Sequence, residues 1–115
     1  MEILKPIVIN DNKSGETYTL EFNRESVIFT NRQGFKASEV TDNFVEMFPI
    51  LFYGAFRMHH KNVSRQQTDN ILYNVLKGVS SAVAERLIKL YALPNNTLIR
   101  DDEDIEENPN VTISL

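Results

Sequence analysis

Apolar side chains are densest in the middle of the chain, over residues 44–60, and their spacing is that of a helix. At about 3.6 residues per turn they fall on two neighbouring stripes, where an ordinary surface helix has one. The first stripe comprises Phe44, Phe48, Leu51, Ala55 and Met58, and the second comprises Val45, Phe52, Phe56 and His59. A helix that is apolar nearly all round must be enclosed by its neighbours or covered by a partner. The run therefore predicts either the central helix of a small core or a core helix that keeps one face for another protein.

Pro49 decides where this central helix should begin. A proline inside a helix removes one hydrogen bond and clashes with the preceding turn, at a cost of about 3 kcal/mol, whereas at the first turn it costs little. We therefore predict a short turn at residues 44–46 and a main helix from about Met47 or Phe48 to about His60. A single kinked helix is the alternative.

Two strands joined by a polar turn precede the helical part of the chain. Residues 16–22 alternate apolar and polar side chains, which is the period of a half-buried strand. Residues 2–10 predict its partner, in which Pro6 lacks a backbone donor and suits an edge position or a bulge. The turn at residues 11–15 contains Asn, Ser and Gly, which favour turns. Because a hairpin alone is marginally stable in water, these strands should pack on the helices.

Capping residues mark the ends of further helices. Asn23 suits the start of one helix, which should end at Gly34, where a positive φ carries no penalty. Phe35 can then fold back on the helix that it follows. Ser64 and Gln67 fit the capping box that begins another helix.

The last two helices carry narrow apolar stripes. The first of them should end at Gly78. The second should be capped by Ser80 or Ser81 and should end at Pro94. The stripes comprise Ile71, Leu72, Val75, Leu76 and Val79 in the first helix and Val83, Leu87, Ile88, Leu90 and Tyr91 in the second.

Together these elements predict an α+β fold, in which an N-terminal β-hairpin packs on about four α-helices in one domain over residues 1–94. Residues 95–115 should form a mobile acidic tail, because few apolar side chains interrupt a long polar stretch there. Residues 111–115 alternate apolar and polar side chains as a strand does, but the sequence does not indicate which strand they would pair with.

The composition narrows the class of protein. A chain of 115 residues with 42% hydrophobic and 24% charged residues has the size and balance of one soluble domain. It has no cysteine, which excludes disulfides and fits a reducing cytoplasm. The first residues lack the basic and apolar regions of a secretion signal, and no run suits a membrane span, so we expect a cytoplasmic protein.

The net charge of −4 is unevenly distributed along the chain. Residues 101–107 carry six negative charges, so the rest of the chain has a net charge of +2. A nucleic-acid-binding protein normally shows a clustered basic face, which this pattern does not predict.

Candidate chemical sites are few. His59 and His60 are the only histidines, and adjacent helical residues point about 100° apart, so the pair cannot chelate one metal ion. A position near the end of the helix, where its dipole is negative, suits them better. The sequence has no serine in a nucleophile turn, no phosphate-binding glycine loop and no calcium loop. We predict a protein without enzymatic activity, metal or cofactor.

The last two helices also have the outline of a helix-turn-helix. The second of them offers DNA only Arg86 and Lys89, and Glu85 opposes them. Two antiparallel core helices joined by a short turn are far commoner than a DNA-binding helix-turn-helix with so little positive charge. The alternative function is therefore a small interaction or regulatory protein of a mobile genetic element, with weak DNA binding.

Several segments, taken in order, resemble one protein family. The segment YTLEF at residues 18–22, the turn RQGF at 32–35, LFYGAF at 51–56 and the histidine pair are similar to small tail assembly chaperones of long-tailed bacteriophages and prophages of Gram-positive bacteria. The resemblance covers most of residues 18–94. It implies a non-catalytic protein of the host bacterial cytoplasm that binds the tape measure protein and recruits tail tube subunits. It also implies absence from the mature virion.

Such a chaperone must expose apolar surface to bind helices, and the central helix has more apolar faces than one small core requires. A second copy of the chain is a further candidate partner, whereas nucleic acid and membrane are not expected partners. The predicted protein-binding residues are Arg32, Gln33, Phe48, Leu51, Phe52, Tyr53 and Phe56.

Overall fold

The computed structural model of the chain describes residues 4–98. It shows an antiparallel hairpin followed by four α-helices, which confirms the predicted α+β class. The elements are β1 Ile7–Asp11, β2 Glu16–Leu20, α1 Arg24–Arg32, a 3-10 turn Ala37–Glu39, α2 Phe44–Phe56, α3 Arg65–Asn70, a π turn Ile71–Val75 and α4 Ser81–Asn96. From residue 99 onward, the predicted acidic tail lies outside the described residues, and so does the segment 111–115 with its strand-like sequence. Within residues 4–98, no helix is both long enough and apolar enough to cross a bilayer.

The hairpin is shorter than predicted at its open end, where β1 begins at Ile7 and β2 ends at Leu20, while its turn is organised around Asp11. The Asp11 carboxylate accepts hydrogen bonds from the backbone N–H groups of Lys13 and Ser14, at 3.0 and 3.3 Å. The strands pair from Ile7 opposite Leu20 to Asp11 opposite Glu16, which is the last pair before the turn. Pro6 therefore precedes β1 and does not interrupt it.

Both predicted ends of α1 are confirmed. Asn23 accepts a hydrogen bond from the Ser26 N–H at 2.8 Å, and the Ser26 hydroxyl accepts one from the Asn23 N–H, which completes a capping box. At the other end, the Phe35 N–H donates to the Thr30 carbonyl and Gly34 has a φ of 101°. This is the Schellman geometry, in which the residue after the glycine folds back on its helix. Phe35 is accordingly buried.

The central helix α2 is one continuous helix with Pro49 inside it, so the predicted start after a short turn is wrong. Pro49 deprives only the Val45 carbonyl of its usual donor, and Val45 is 80% exposed, so that water can replace the missing bond. In return, the extra turn stacks the Phe44 ring on the Phe48 ring, with centroids 4.8 Å apart. Packing of this kind offsets the cost of the proline.

The helix α2 ends at Phe56, earlier than the predicted His60, because both histidines turn towards the hairpin. The Nε2 atom of His60 accepts a hydrogen bond from the Thr19 N–H at 2.9 Å, and His59 Nε2 lies 2.8 Å from a carboxylate oxygen of Glu21. These contacts join β2 to the end of α2. Each histidine therefore has its own partner on the hairpin, whereas the sequence predicted that both lie at the negative end of the helix dipole.

The Ser64 capping box and the Ser80 cap are present as predicted. Pro94, in contrast, does not stop α4, which continues to Asn96. A proline near the end of a helix removes one donor from the last turn only, and the Thr97 N–H still bonds to the Leu93 carbonyl at 3.2 Å. The boundary predicted at residues 94 and 95 therefore lies inside a helix.

The core lies between the inner face of the hairpin and the four helices. Its fully buried side chains include Leu20, Leu51, Phe52, Phe56, Leu87 and Leu90. Tyr91 of α4 packs edge-on against Phe22 and Phe35, at 5.6 and 4.9 Å, and its hydroxyl donates to the Asn31 side chain. Burial raises the pKa of the Tyr91 hydroxyl, because the phenolate would lose its water.

His60→Ala should destabilise the protein by about 1–3 kcal/mol, because it leaves the part-buried Thr19 N–H without its acceptor. His59→Ala is the matched control, and should cost less than about 1 kcal/mol because the contact with Glu21 is solvent-exposed. Urea denaturation of both variants measures the difference. Equal losses of stability would show that the bond to Thr19 does not hold the hairpin.

Candidate functional site

An apolar groove of about 670 Å³ opens on the surface between the start of α2, the π turn and the first half of α4. We call it the α2–α4 groove. Its lining comprises Phe44, Val45, Phe48, Pro49, Leu72, Tyr73, Gly78, Val79, Ser81, Ala84, Glu85 and Ile88. Its volume lies within the range of about 300–1,000 Å³ that is usual for binding sites.

The floor of the groove is built on buried side chains of two helical segments. Phe48 and Leu72 are each only 4% exposed. Below Phe48, a column of rings continues to Phe52 at 6.3 Å and from there to Phe56 at 5.2 Å. These residues are four apart, so α2 stacks them on one face. The floor is therefore anchored in the core and rigid.

The rim consists of large apolar side chains that the fold leaves in water. Val45 is 80% exposed, Tyr73 is 55% exposed and Phe44 is 45% exposed. Single exposed apolar residues are ordinary on a protein surface, but a cluster around a concave apolar floor makes this groove a candidate interaction site.

The π turn Ile71–Val75 places Tyr73 on this rim. The Leu76 N–H bonds to the Ile71 carbonyl five residues back, at 2.8 Å, and the chain then reverses through Lys77 and Gly78, both with positive φ. A wide turn of this kind changes the direction of the side chains that follow it, and it is frequent at functional sites. It also exposes Val75, which was predicted to belong to the buried stripe and is 44% exposed.

The groove has almost no ionisable chemistry. Glu85 is the one charged residue of its lining, and its carboxylate lies 3.4 Å from the Lys89 ammonium. The lining contains neither histidine nor cysteine. Across residues 4–98, no three His, Cys, Asp or Glu side chains are grouped to hold a metal ion. The arrangement is suited to binding apolar side chains.

Four of the predicted protein-binding residues lie in the core. Leu51, Phe52 and Phe56 are at most 1% exposed, and Phe48 reaches only the floor of the groove. The sequence alone did not separate core from binding surface among these residues, and the structure assigns these four side chains to the core. The hairpin, α1, α3 and α4 all pack on α2, which leaves only its first turn uncovered.

The other three predicted residues lie elsewhere on the surface. Arg32 and Gln33 are exposed and line a separate groove of about 310 Å³ beside α1. Tyr53 is half-buried and packs on Phe29 with ring centroids 5.3 Å apart, while the Arg57 guanidinium covers the same Phe29 ring at 4.5 Å. The predicted site is thus divided between the core and the α1 groove.

Sequence reasoning missed Val45 and Tyr73 as functional candidates. Val45 stood on the second stripe of the central helix, and the excess of apolar faces on that helix was the signal for its exposure. Tyr73 gave a weaker signal, since a single aromatic residue in a predicted helix does not reveal which side chains surround it.

Arg86 and Lys89, the candidates for DNA contact, lie on the outer face of α4. They line a third groove, of about 530 Å³, together with Lys5 and Glu85. Because Lys89 is paired with Glu85, the groove offers two unpaired cations among the described residues.

Comparison with known proteins gives one match. The model of a family described as a domain of unknown function, DUF5055, matches residues 3–115. No curated protein and no solved structure matches the chain.

Proposed function

Because the chain belongs to the DUF5055 family, whose description assigns no activity, we propose a function from the α2–α4 groove and from the resemblance to phage proteins. The protein acts as a non-catalytic tail assembly chaperone of a bacteriophage or prophage. Its groove binds helical segments of the tape measure protein in the host cytoplasm, and tail tube subunits are further partners. It is released before the virion is complete.

The exposed rim around an apolar floor is the observation that carries this proposal. Val45 and Tyr73 would each remove apolar surface from water on binding, at about 25 cal/mol per Å². An amphipathic helix presents its apolar side chains at i, i+3, i+4 and i+7, and it binds other proteins by laying that stripe in such a groove. Long helical proteins repeat this stripe many times, so they offer many equivalent sites.

The composition of the groove favours a partner without a fixed sequence. Its walls are aromatic and aliphatic, and its one carboxylate is already paired. Recognition therefore depends on apolar shape and not on a pattern of charges. A chaperone that must coat many similar segments needs this tolerance.

Val45→Asp and Tyr73→Asp should each abolish capture of the tape measure protein by this chain. Either change places a carboxylate on the rim, where a bound helix would strip it of water. The measurement is co-expression with the tape measure protein encoded in the same gene cluster, followed by pull-down and size-exclusion chromatography. The wild-type chain should keep the tape measure protein soluble and co-elute with it.

Ile28→Asp is the matched control, because Ile28 is 51% exposed and lies in the α1 groove. This variant should bind as the wild type does. Loss of binding with Ile28→Asp alone would move the site to the α1 groove. A tape measure protein that precipitates with the wild-type chain would refute the chaperone function.

A further inference from the structure

The outer edge of β1 carries backbone groups that bond to no other residue in the described part of the chain. The Thr19 N–H donates to His60 on the far side of β2, so it points away from β1. In the antiparallel register Thr19 faces Val8, and the two therefore form a pair without mutual hydrogen bonds. Val8 and, two residues further along, Asn10 thus direct both their N–H and their C=O groups outward. Within residues 4–98, no backbone hydrogen bond from outside the hairpin reaches either of them.

The two edges of the hairpin differ in this respect. On the β2 side, His60 accepts from the Thr19 N–H at 2.9 Å, and the Ala55 carbonyl accepts from the Glu21 N–H at 3.1 Å. On the β1 side, the Val8 side chain is 54% exposed and its backbone is open to another strand. An open edge of this kind is a template for pairing with a further strand, and a second copy of the chain carries the same edge.

We propose that two copies of the chain pair in antiparallel fashion through β1, about a twofold axis that passes between their Val8 residues. Each Val8 N–H donates to the Val8 carbonyl of the other copy, which forms one hydrogen-bonded pair at the axis. In this register Asn10 lies opposite Pro6, so each Asn10 N–H donates to the Pro6 carbonyl of the other copy. The two hairpins then form one four-stranded sheet, which is more stable than a two-stranded hairpin.

Apolar side chains match across the axis in this register. Ile7, which is buried on the core face of the hairpin, lies opposite Ile9 of the second copy. On the other face, the exposed Val8 lies opposite its own counterpart and loses contact with water. The alternative antiparallel register sets Val8 opposite Asn10 and would place Ile7 opposite the Asp11 carboxylate.

Charge complementarity selects the same register. Lys5 lies two residues before β1 and comes opposite Asp11 of the second copy, and the twofold axis repeats this pair. Opposite charges that face each other across antiparallel strands attract. Neither side chain has an ion-pair partner among residues 4–98. In the alternative register Lys5 would face Lys13 and repel it.

The contact is also closed, so that it produces a dimer and not a fibre. Twofold symmetry uses the same edge of both copies, and the new sheet ends on each side in β2. The Thr19 and Glu21 N–H groups of β2 are already bonded. Pro6 has no N–H to offer, which ends the new ladder beside the axis.

Analytical ultracentrifugation of the full-length chain over a series of concentrations tests the proposal. The wild-type chain should change from monomer to dimer as its concentration rises, without larger species. In hydrogen exchange followed by NMR, the outward amides of Val8 and Asn10 should exchange at least about tenfold more slowly in the dimer than in the diluted monomer. The Tyr18 N–H bonds within the hairpin and should stay protected at both concentrations. A chain that remains monomeric up to about 1 mM would refute the dimer.

Val8→Pro should weaken dimerisation at least about tenfold, because it removes the outward donor at the axis and spares the bonds to β2. Thr17→Pro is the matched control. It makes the same change on β2, where Thr17 faces Asn10 and likewise directs its N–H away from the other strand. This variant should dimerise as the wild type does. A dimer that survives Val8→Pro, with Tyr18 still protected, would place the interface elsewhere and overturn the proposal.

Lys5→Asp tests the register independently of the backbone. At low salt it should weaken the dimer about tenfold, because a like-charge pair with Asp11 replaces an attractive pair at two symmetric positions. In the alternative register the new carboxylate would face Lys13, so a tighter dimer would contradict the proposed pairing. Slow exchange of Val8 and Asn10 that persists in the diluted monomer would show that the edge is covered within one chain, and would overturn pairing between copies.

Discussion

Phe52→Asp should abolish the folded state, whereas Val45→Asp, on the same helix, should leave it intact. Phe52 is 1% exposed, between the rings of Phe48 and Phe56, while Val45 is 80% exposed. Removing a buried aromatic side chain costs about 3–5 kcal/mol, and an unpaired buried carboxylate adds several more. The total free energy of unfolding of a small domain is only about 5–15 kcal/mol.

Circular dichroism during thermal and urea unfolding measures this contrast. Phe52→Leu is the apolar control, and should remain folded with a smaller loss of stability because it buries no charge. A cooperative transition of Phe52→Asp near the wild-type midpoint would show that α2 is not the centre of the core. The same measurement on Val45→Asp establishes that any loss of binding reflects the groove and not unfolding.

Gly54→Ala should destabilise the protein by about 3 kcal/mol, although alanine normally stabilises a helix interior by about 1 kcal/mol relative to glycine. A Cβ atom at this position would lie 1.8 Å from the Thr30 Oγ1 and 2.7 Å from the Thr30 Cβ. Thr30 is fully buried, and its hydroxyl donates to the Ser26 carbonyl at 2.7 Å. It cannot move aside without losing that bond, so α1 and α2 would have to separate.

A double-mutant cycle with Thr30→Ala shows whether this contact is the cause. Thr30→Ala removes the hydroxyl oxygen that makes the closest contact and leaves the Cβ atom in place, so the double variant should be more stable than the sum of the single losses implies. Urea unfolding measures the free energy of unfolding of the wild type, the two single variants and the double variant. Strict additivity, or stabilisation by Gly54→Ala alone, would contradict the close approach of the two helices.

Local signals in the sequence predicted the capped helix ends, because capping depends on residues that are neighbours in the chain. The Asn23 cap and the Gly34 turn required only nearby partners. Pro49 shows the limit of this reasoning, since its local cost is offset by the packing of Phe44, which sequence alone does not reveal. The π turn likewise depends on a backbone shift for which no residue type is diagnostic.

The candidate site was harder to predict than the fold for a physical reason. A helix with apolar side chains all round does not show which faces its neighbours will cover. Phe56 is buried against Tyr18 of the hairpin, whereas Val45 of the same helix is 80% exposed. Only the assembled structure separates them.

The attachment of the hairpin to the end of α2 has a consequence for the order in which the chain folds during synthesis. Thr19 finds its acceptor 41 residues later, at His60, and Glu21 finds its own at Ala55. The two strands leave the ribosome before α2, and a free hairpin is marginally stable. The N-terminal segment must therefore wait, largely unpaired, until the translating ribosome has released α2 and its two histidines.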